Sequence, residues 1–352
     1  MAPKPTIKDV AREAGVSVAT VSRVLNRSGY FDEATGRAVH DAVARLGYRR
    51  NVHWQRISNN ASRTLCFLLG NRAGLNSMQM RMLVACERVC KEQGFDLVFS
   101  RLDYPIEGKA ARIELPRIVA DQGLVDGVIL VGRHAPNLLE LLGQNALPWV
   151  MLGNNFEGDF HRLPENTLSY DEEAGSADAT AYLARLGHRR IAFIGNRGYL
   201  WFRRRQKAYE KAMREAGLTP LSVDADWEAA GAEYGSLAAA ELLRRKDAPT
   251  AIFASNDEVA AGVWKEVTRR GYRIPLDISL CGFGDREEFQ ILEPPLTSIA
   301  VFPERLGAEL ARMILARLKD PATAIPSRIF PCQFIERGSC APPPSRLKAV
   351  KA

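Results

Sequence analysis

The run Ile7-Lys8-Asp9-Val10-Ala11-Arg12-Glu13-Ala14-Gly15-Val16-Ser17-Val18-Ala19-Thr20-Val21-Ser22-Arg23-Val24-Leu25-Asn26 reads as two short helices joined by a glycine turn. Thr6 is suited to cap the first helix, over about Ile7 to Ala14, because its hydroxyl can satisfy a first-turn N–H. Gly15 ends it, since a left-handed turn is least strained at glycine. Ser17 then caps a second helix from Val18 to about Asn26. Ile7, Val10, Ala11, Ala14, Val16, Val21, Val24 and Leu25 recur at the spacing of two helices that bury facing stripes. A third helix is expected from about Asp32 to Leu46, with Asp32 as its cap, Ala34, Ala38, Val39, Ala42, Val43 and Leu46 inward and Gly47 ending it. Three short helices with this turn form the geometry that places the second helix in the major groove of DNA. Its polar positions hold Ser17, Thr20, Ser22, Arg23 and Asn26. Hydroxyls at a helix start bond phosphate oxygens, and arginine reads guanine in a bidentate way.

Charge singles out the same end. The chain has 352 residues and a net charge of +7. Residues 1–65 hold eleven Lys and Arg against five acids, a net of +6, which leaves +1 for the other 287. Such asymmetry suggests a nucleic-acid or membrane contact confined to one end. No apolar run approaches the roughly 20 residues of a membrane span, and Met1-Ala2-Pro3-Lys4 begins no signal peptide, so a cytoplasmic protein is expected. Six cysteines lie scattered with no CxxC and no Cys/His cluster, which supports neither a zinc site nor a disulfide framework. Cys86 and Cys90 read as small apolar residues on one helix face.

Beyond residue 63, apolar runs alternate with helical stretches. The runs are Thr64–Leu69, Phe95–Ser100, Gly127–Val131, Trp149–Leu152, Arg190–Ile194, Ala251–Ala254 and Ile278–Gly282. The helices are Met80–Gln93, Ala174–Leu186, Gln206–Ala216, Tyr234–Arg245 and Val259–Arg270. This pattern predicts an α/β body of two subdomains with doubly wound parallel sheets, whose ligands sit outside the carboxyl ends of the strands. By itself it fits a sugar-binding protein, a nucleotide-binding domain or an enzyme. There is no Gly-x-Gly-x-x-Gly after a strand, no phosphate-binding loop with Gly-Lys-Ser/Thr, no Gly-x-Ser-x-Gly elbow and no metal-ligand spacing among the five histidines. Neither catalysis nor a cofactor is therefore expected.

The opening run closely resembles the head of the lactose/purine repressor family of bacterial regulators. The body resembles the same family's effector core, a two-subdomain, periplasmic-binding-protein-like fold. The matching stretches are Val125-Asp126-Gly127-Val128-Ile129-Leu130, Leu186-Gly187-His188-Arg189-Arg190-Ile191-Ala192-Phe193-Ile194-Gly195, Pro249-Thr250-Ala251-Ile252-Phe253-Ala254-Ser255-Asn256-Asp257 and Pro294-Pro295-Leu296-Thr297. The resemblance implies a helix-turn-helix domain over 1–48, a hinge over 49–62, an effector-binding and dimerisation core over 63–342 and a short tail over 343–352. It implies a ligand-responsive repressor of a carbohydrate or sugar-acid operon that binds a palindromic operator as a homodimer. The tail lacks the leucine heptads of a tetramerising helix. The implied DNA contacts are Thr6, Ser17, Val18, Ala19, Thr20, Ser22, Arg23, Asn26 and Tyr30, with Asn51, Gln55 and Ile57 from the hinge. Ile57 falls where the family has a leucine that wedges into the minor groove, at an unstacking cost of a few kcal/mol. Arg50 replaces the family's usual proline and Trp54 a small residue, so a sensory protein that binds a small molecule but no specific DNA stands as the alternative.

The resemblance also implies effector contacts at Arg205, four residues before Tyr209, and at Asn256, Tyr170 and Trp227. Gln79 stands where family members have Phe and offers a polar contact. Gly282-Phe283-Gly284-Asp285 departs from the Gly-Phe-Asp-Asp of sugar-binding members, leaving Asp285 but removing one acceptor. With Arg203 and Arg205 nearby, this favours a sugar acid, of the kind taken by gluconate-repressor-like members, or a sugar phosphate over a neutral sugar. Arg204 reads as a solvated helix-start residue, Met80 and Met82 as core, and Asp171 and Asp257 as helix caps.

Overall fold

The structure is a computed structural model that describes residues 5–26, 30–46, 62–159, 162–223, 229–320 and 325–345, with Asn26 described in its backbone alone. Two compact units divide at Ser62 and Arg63.

The first unit contains α1 (Ile7–Ala14), α2 (Val18–Asn26) and α3 (Glu33–Leu46). Thr6 and Asp9 cap α1 reciprocally, Thr20 N–H bonds the Ser17 hydroxyl at 3.1 Å, and Thr35 N–H bonds Asp32 at 2.8 Å. Gly15 adopts φ 66° and ψ 27°, the left-handed turn that the sequence predicts. Val10, Val21, Val24, Val39 and Ala42 are fully or almost fully buried where the helices meet. Ala34, expected inward, is exposed; Phe31 packs there instead, with Gly36 leaving room for its ring. An Arg45–Glu13 ion pair ties α3 to α1.

The second unit holds two parallel sheets. The first collects β1 (Thr64–Gly70), β2 (Asp96–Leu102), β3 (Gly127–Gly132), β4 (Trp149–Leu152) and β5 (Thr167–Tyr170), with α4 (Ser77–Glu92), α5 (Arg117–Ala120) and α6 (Pro136–Gln144) between strands. After α7 (Glu172–Arg185), the second sheet is built from β6 (Ile191–Ile194), β7 (Leu221–Ser222), β8 (Ala251–Ala254) and β9 (Ser279–Cys281). Here α8 (Leu200–Glu215), α9 (Gly231–Leu242) and α10 (Asp257–Arg269) form the crossovers. The chain then runs through β10 (Ser298–Ala300), α11 (Pro303–Lys319), β11 (Arg328–Phe330) and β12 (Gln333–Ile335). Strand β11 returns to the edge of the first sheet, giving the order β11-β5-β4-β3-β1-β2, and the second sheet has the order β7-β6-β8-β9. Antiparallel β10 and β12 pair beside the second sheet, so the chain passes between subdomains near residues 171, 301 and 331.

Burial explains why these runs become strands. Every residue of β1 and β3 is buried, as expected for central strands of a parallel sheet covered on both faces. Met82, Cys86 and Cys90 of α4 pack with Leu306, Leu310 and Ile314 of α11 over that sheet. Burial raises the Cys90 thiol to about 11 and that of Cys86 further, in keeping with inert packing. Met80 contradicts the core expectation: it is 47% exposed, next to Val84 at 61%.

Helices α9 and α10 cross backbone against backbone. A Cβ on Gly262 would lie 1.8 Å from the Ala232 carbonyl oxygen, and one on Gly235 would lie 2.1 Å from that of Val259. Gly262→Val is therefore expected to cost about 3 kcal/mol, read as a lower urea midpoint with unchanged slope. Gly143→Ala, in α6 with open space around it, is expected to stabilise by about 0.5–1 kcal/mol in the same assay.

Candidate nucleic-acid interface and effector cleft

On the first unit, α2 presents an exposed start. Ser17, Val18, Ala19 and Arg23 are exposed, Thr20 and Ser22 half-buried, and no acid lies in the first turn. An acid-free helix N-terminus with two hydroxyls attracts phosphate, and exposed Arg23 is free to reach a base edge. Thr6 is exposed, and Tyr30 stands 91% exposed beyond α2. These side chains belong to one small unit, while Asn51, Gln55, Ile57 and the Arg50 and Trp54 departures lie outside the described residues.

In the second unit, the carboxyl ends of β5, β6, β8 and β9 lead into a dense polar cluster. Glu172, the first residue of α7, is fully buried. Its Oε1 accepts from Arg204 Nε at 2.6 Å, and its Oε2 accepts from Arg205 Nε and Nη2, each at 3.2 Å. Arg205 also donates to the Ser255 carbonyl at 2.6 Å and to the Tyr170 hydroxyl at 3.1 Å, and it lies 3.8 Å from the Phe283 ring centroid. Four of its five N–H are thus engaged. Arg204 reaches across to the Asn154 carbonyl of the first subdomain. Its side chain is only 11% exposed, so the solvated reading of Arg204 is corrected; Arg203 is the exposed member of the pair.

Other expected contacts are partly committed to local structure. Asn256, not Asp257, caps α10 through its Oδ1 and Val259 N–H at 2.7 Å, leaving its amide NH2 group for a ligand. Asp171 does cap α7, accepting from Ala174 N–H at 2.9 Å. Gln79 is buried, and its Oε1 accepts from Asn76 N–H in the capping box of α4. Asp285 pairs with Arg337 at 2.7 Å, so its carboxylate is already matched. Tyr170 is buried against Phe283, and burial raises its hydroxyl to about 12, which keeps it neutral. Trp227 lies outside the described residues.

Three features went unread in the sequence. One is Glu172 itself. Another is the mouth of the cleft, where Arg286 Nε donates to Ser77 Oγ at 3.1 Å and to Glu288 at 2.7 Å, while Ser77 Oγ donates to Glu288 at 2.7 Å. These bonds join α4 of the first subdomain to the segment after β9. The third is the buried contact of Asp257, a residue read only as a helix cap: it accepts from Ser298 Oγ at 2.6 Å and Arg286 N–H at 2.7 Å. Burial lifts Asp257 to about 6, against the lowering effect of those bonds, with Asp285 raising it further and Arg286 lowering it. Among the described residues, no group of three or more His, Cys, Asp or Glu could hold a metal.

Comparison with known proteins decides the family. The profile of the bacterial regulatory proteins of the lacI family matches residues 6–51, and that of the periplasmic binding protein-like domain matches residues 180–340. The HTH-type transcriptional repressor CytR of Escherichia coli (strain K12) is 30% identical, over 95% of this chain and 96% of that protein. The chain belongs to the lacI family of bacterial regulatory proteins. The ribose operon repressor of the same strain is 31% identical, over 95% of this chain and 99% of that protein. The lac repressor dimer bound to operator and the anti-inducer ONPF superposes with a TM-score of 0.82 at 24% identity, over 96% of this chain and all of that one. That likeness confirms the helix-turn-helix head and parallel-sheet core of a lacI-family fold.

Two outcomes follow from the cluster. Glu172→Gln leaves two guanidinium groups without their shared carboxylate and is expected to cost about 3–5 kcal/mol in urea unfolding. Asp257, raised in the folded state, contributes stability that is full below the unfolded value near 4 and is lost as pH climbs through about 6. The urea midpoint should therefore fall between about pH 4 and pH 6, and Asp257→Asn should flatten that fall.

Proposed function

We propose that this lacI-family protein is a transcriptional repressor that binds a palindromic operator as a homodimer and senses a small carbohydrate-type effector in the cleft between its core subdomains. The observation that carries this reading is the pairing, in one chain, of an exposed acid-free α2 start with a cleft whose two walls meet through side chains. Phosphate contacts through Thr6, Ser17 and Thr20 position the head, and Arg23 supplies base readout. In the core, Tyr170, Arg205, Asn256 and Gln79 line the effector side. The exposed strip of Met80 and Val84, flanked by Arg81, Arg88 and Glu304, offers an apolar face to a second copy. Acting on chromosomal DNA places the protein in the cytoplasm.

Effector binding works through relative subdomain orientation. Arg204 to Asn154 and Arg286 to Ser77 are bonds that a rotation of one subdomain breaks or makes, so a ligand that favours one arrangement shifts the pair. Ribose is named by one relative's operon, and carbohydrate is the class carried over to this chain.

A mobility-shift titration of the full-length protein on DNA from upstream of its own gene tests the reading. Sequence-selective binding that weakens steeply with salt is expected. Arg23→Ala should cost about 1–3 kcal/mol and relax selectivity at one base position, while Ser17→Ala should weaken binding across all sequences. Equal affinity for the upstream DNA and for unrelated DNA would instead favour a sensory protein that reads no operator.

A further inference from the structure

The arginines around the cleft are largely matched: Arg205 and Arg204 share Glu172, Arg133 pairs with Glu157 at 2.5 Å, and Arg337 pairs with Asp285. Arg72 differs. It follows β1 by two residues, at the carboxyl end of a central strand, where ligands bind in sheets of this type. Its guanidinium lies 5.0 Å from the ring centroid of Trp201, which belongs to α8 of the other subdomain, so it faces into the cleft. Among the described residues no carboxylate pairs with it, and its Nε is buried without a hydrogen-bond partner. The Ser255 hydroxyl, just after β8, is likewise buried without a hydrogen-bond partner among the described residues.

A desolvated guanidinium with an unmade hydrogen bond is costly, and a cation–π contact of about 0.5–2 kcal/mol replaces only part of its hydration. Burial correspondingly lowers the Arg72 pKa from its usual value, and the nearby Arg133 adds to that, while the Tyr199 and Tyr170 hydroxyls and Glu258 oppose it. Tyr170 links the two sides, because its hydroxyl accepts from Arg205 while lying within electrostatic range of Arg72. Around it stand three guanidinium groups, those of Arg72, Arg204 and Arg205, and Glu172 pairs with the last two. Among the described residues, Arg72 is the one of the three with no carboxylate partner.

Resting on the effector-cleft reading above, we propose that the effector carries a carboxylate or phosphate group and that Arg72, stacked on Trp201, binds it. An anionic oxygen at Nε and Nη of Arg72 completes its hydrogen bonds bidentately, and the Ser255 hydroxyl is placed to donate from the opposite wall. Arg205 serves as a wall that holds Tyr170 and Ser255 in place, with one N–H left over.

Calorimetric titration of the full-length protein with D-gluconate, D-glucuronate, D-glucose 6-phosphate, D-ribose 5-phosphate, D-glucose and D-ribose tests this. At least one anionic member is expected to bind about tenfold or more tightly than its neutral counterpart, and the acids against the phosphates identify the group. Arg72→Met should reduce that affinity about tenfold or more. Arg72→Lys should keep the preference at reduced affinity, because it retains the charge without the planar fork. Lys207→Met, on an exposed part of α8, should change nothing. Unchanged melting of Arg72→Met separates lost binding from lost fold, and the lysine variant carries the test if the methionine variant is unstable. Binding of neutral sugars alone, no binding by any anion, or full anion affinity in Arg72→Met overturns the proposal. Operator retardation distinguishes the two readings: release by a neutral sugar would overturn the anion proposal and keep the repressor, whereas absent selective DNA binding would sink the repressor and leave the anion affinity measurable.

Discussion

A single buried carboxylate, Glu172, sets the geometry of the core. Fully enclosed, it is tolerable only because two guanidinium groups neutralise it and fill its lone pairs. Those two arginines then fix much else. Arg205 holds the Tyr170 hydroxyl, the Ser255 carbonyl and the Phe283 ring, which brings together residues from both sheets and from the segment after β9. Arg204 extends the same network to Asn154 in the first subdomain. Glu172 sits one residue past the first of three chain crossings, so this buried ion-pair cluster lies beside a point where the chain passes between the subdomains.

That placement suits a sensor. The interior of each subdomain is packed and resists deformation, whereas several contacts between them are hydrogen bonds and ion pairs, which can switch between discrete arrangements. Asp257 and Ser298 form a second buried polar contact beside another crossing, and Arg286 with Ser77 and Glu288 forms a third at the mouth. The near-neutral charge of the core follows from this pairing, since most cleft cations have their anions built in. The head has no such balance: its excess of positive charge is left for phosphate.

Much of this was legible in the residues. The glycine turn at Gly15, the caps at Thr6, Ser17 and Asp32, and the alternation of apolar runs with helices are local signals, and the chain folds locally as they indicate. Strand β5 escaped because Thr167 and Ser169 make it look polar although all four residues are buried. Helix α11 escaped despite a readable signal, proline at its first position followed by Leu306, Leu310, Met313 and Ile314 at helical spacing. The candidate site was less legible. Glu172 meets Arg204 and Arg205 only because topology folds α7 against α8, and no spacing reveals that partner. Without it, an arginine-rich helix start looks like free positive charge, and Arg203 and Arg205 seem a pair when Arg204 and Arg205 are the two that turn inward. Arg72, a lone arginine after a strand, has no motif; what marks it is a buried Nε with no hydrogen-bond partner among the described residues, which only three dimensions disclose.

If the head and core act as one device, effector and operator must alter each other's affinity by the same factor. The most direct test is to measure effector affinity by calorimetry on the full-length protein, alone and saturated with its operator, and operator affinity with and without effector. Equal and reciprocal shifts of about fivefold or more are expected. Effector affinity that is identical in the presence and absence of operator, with both bound selectively, would contradict the account.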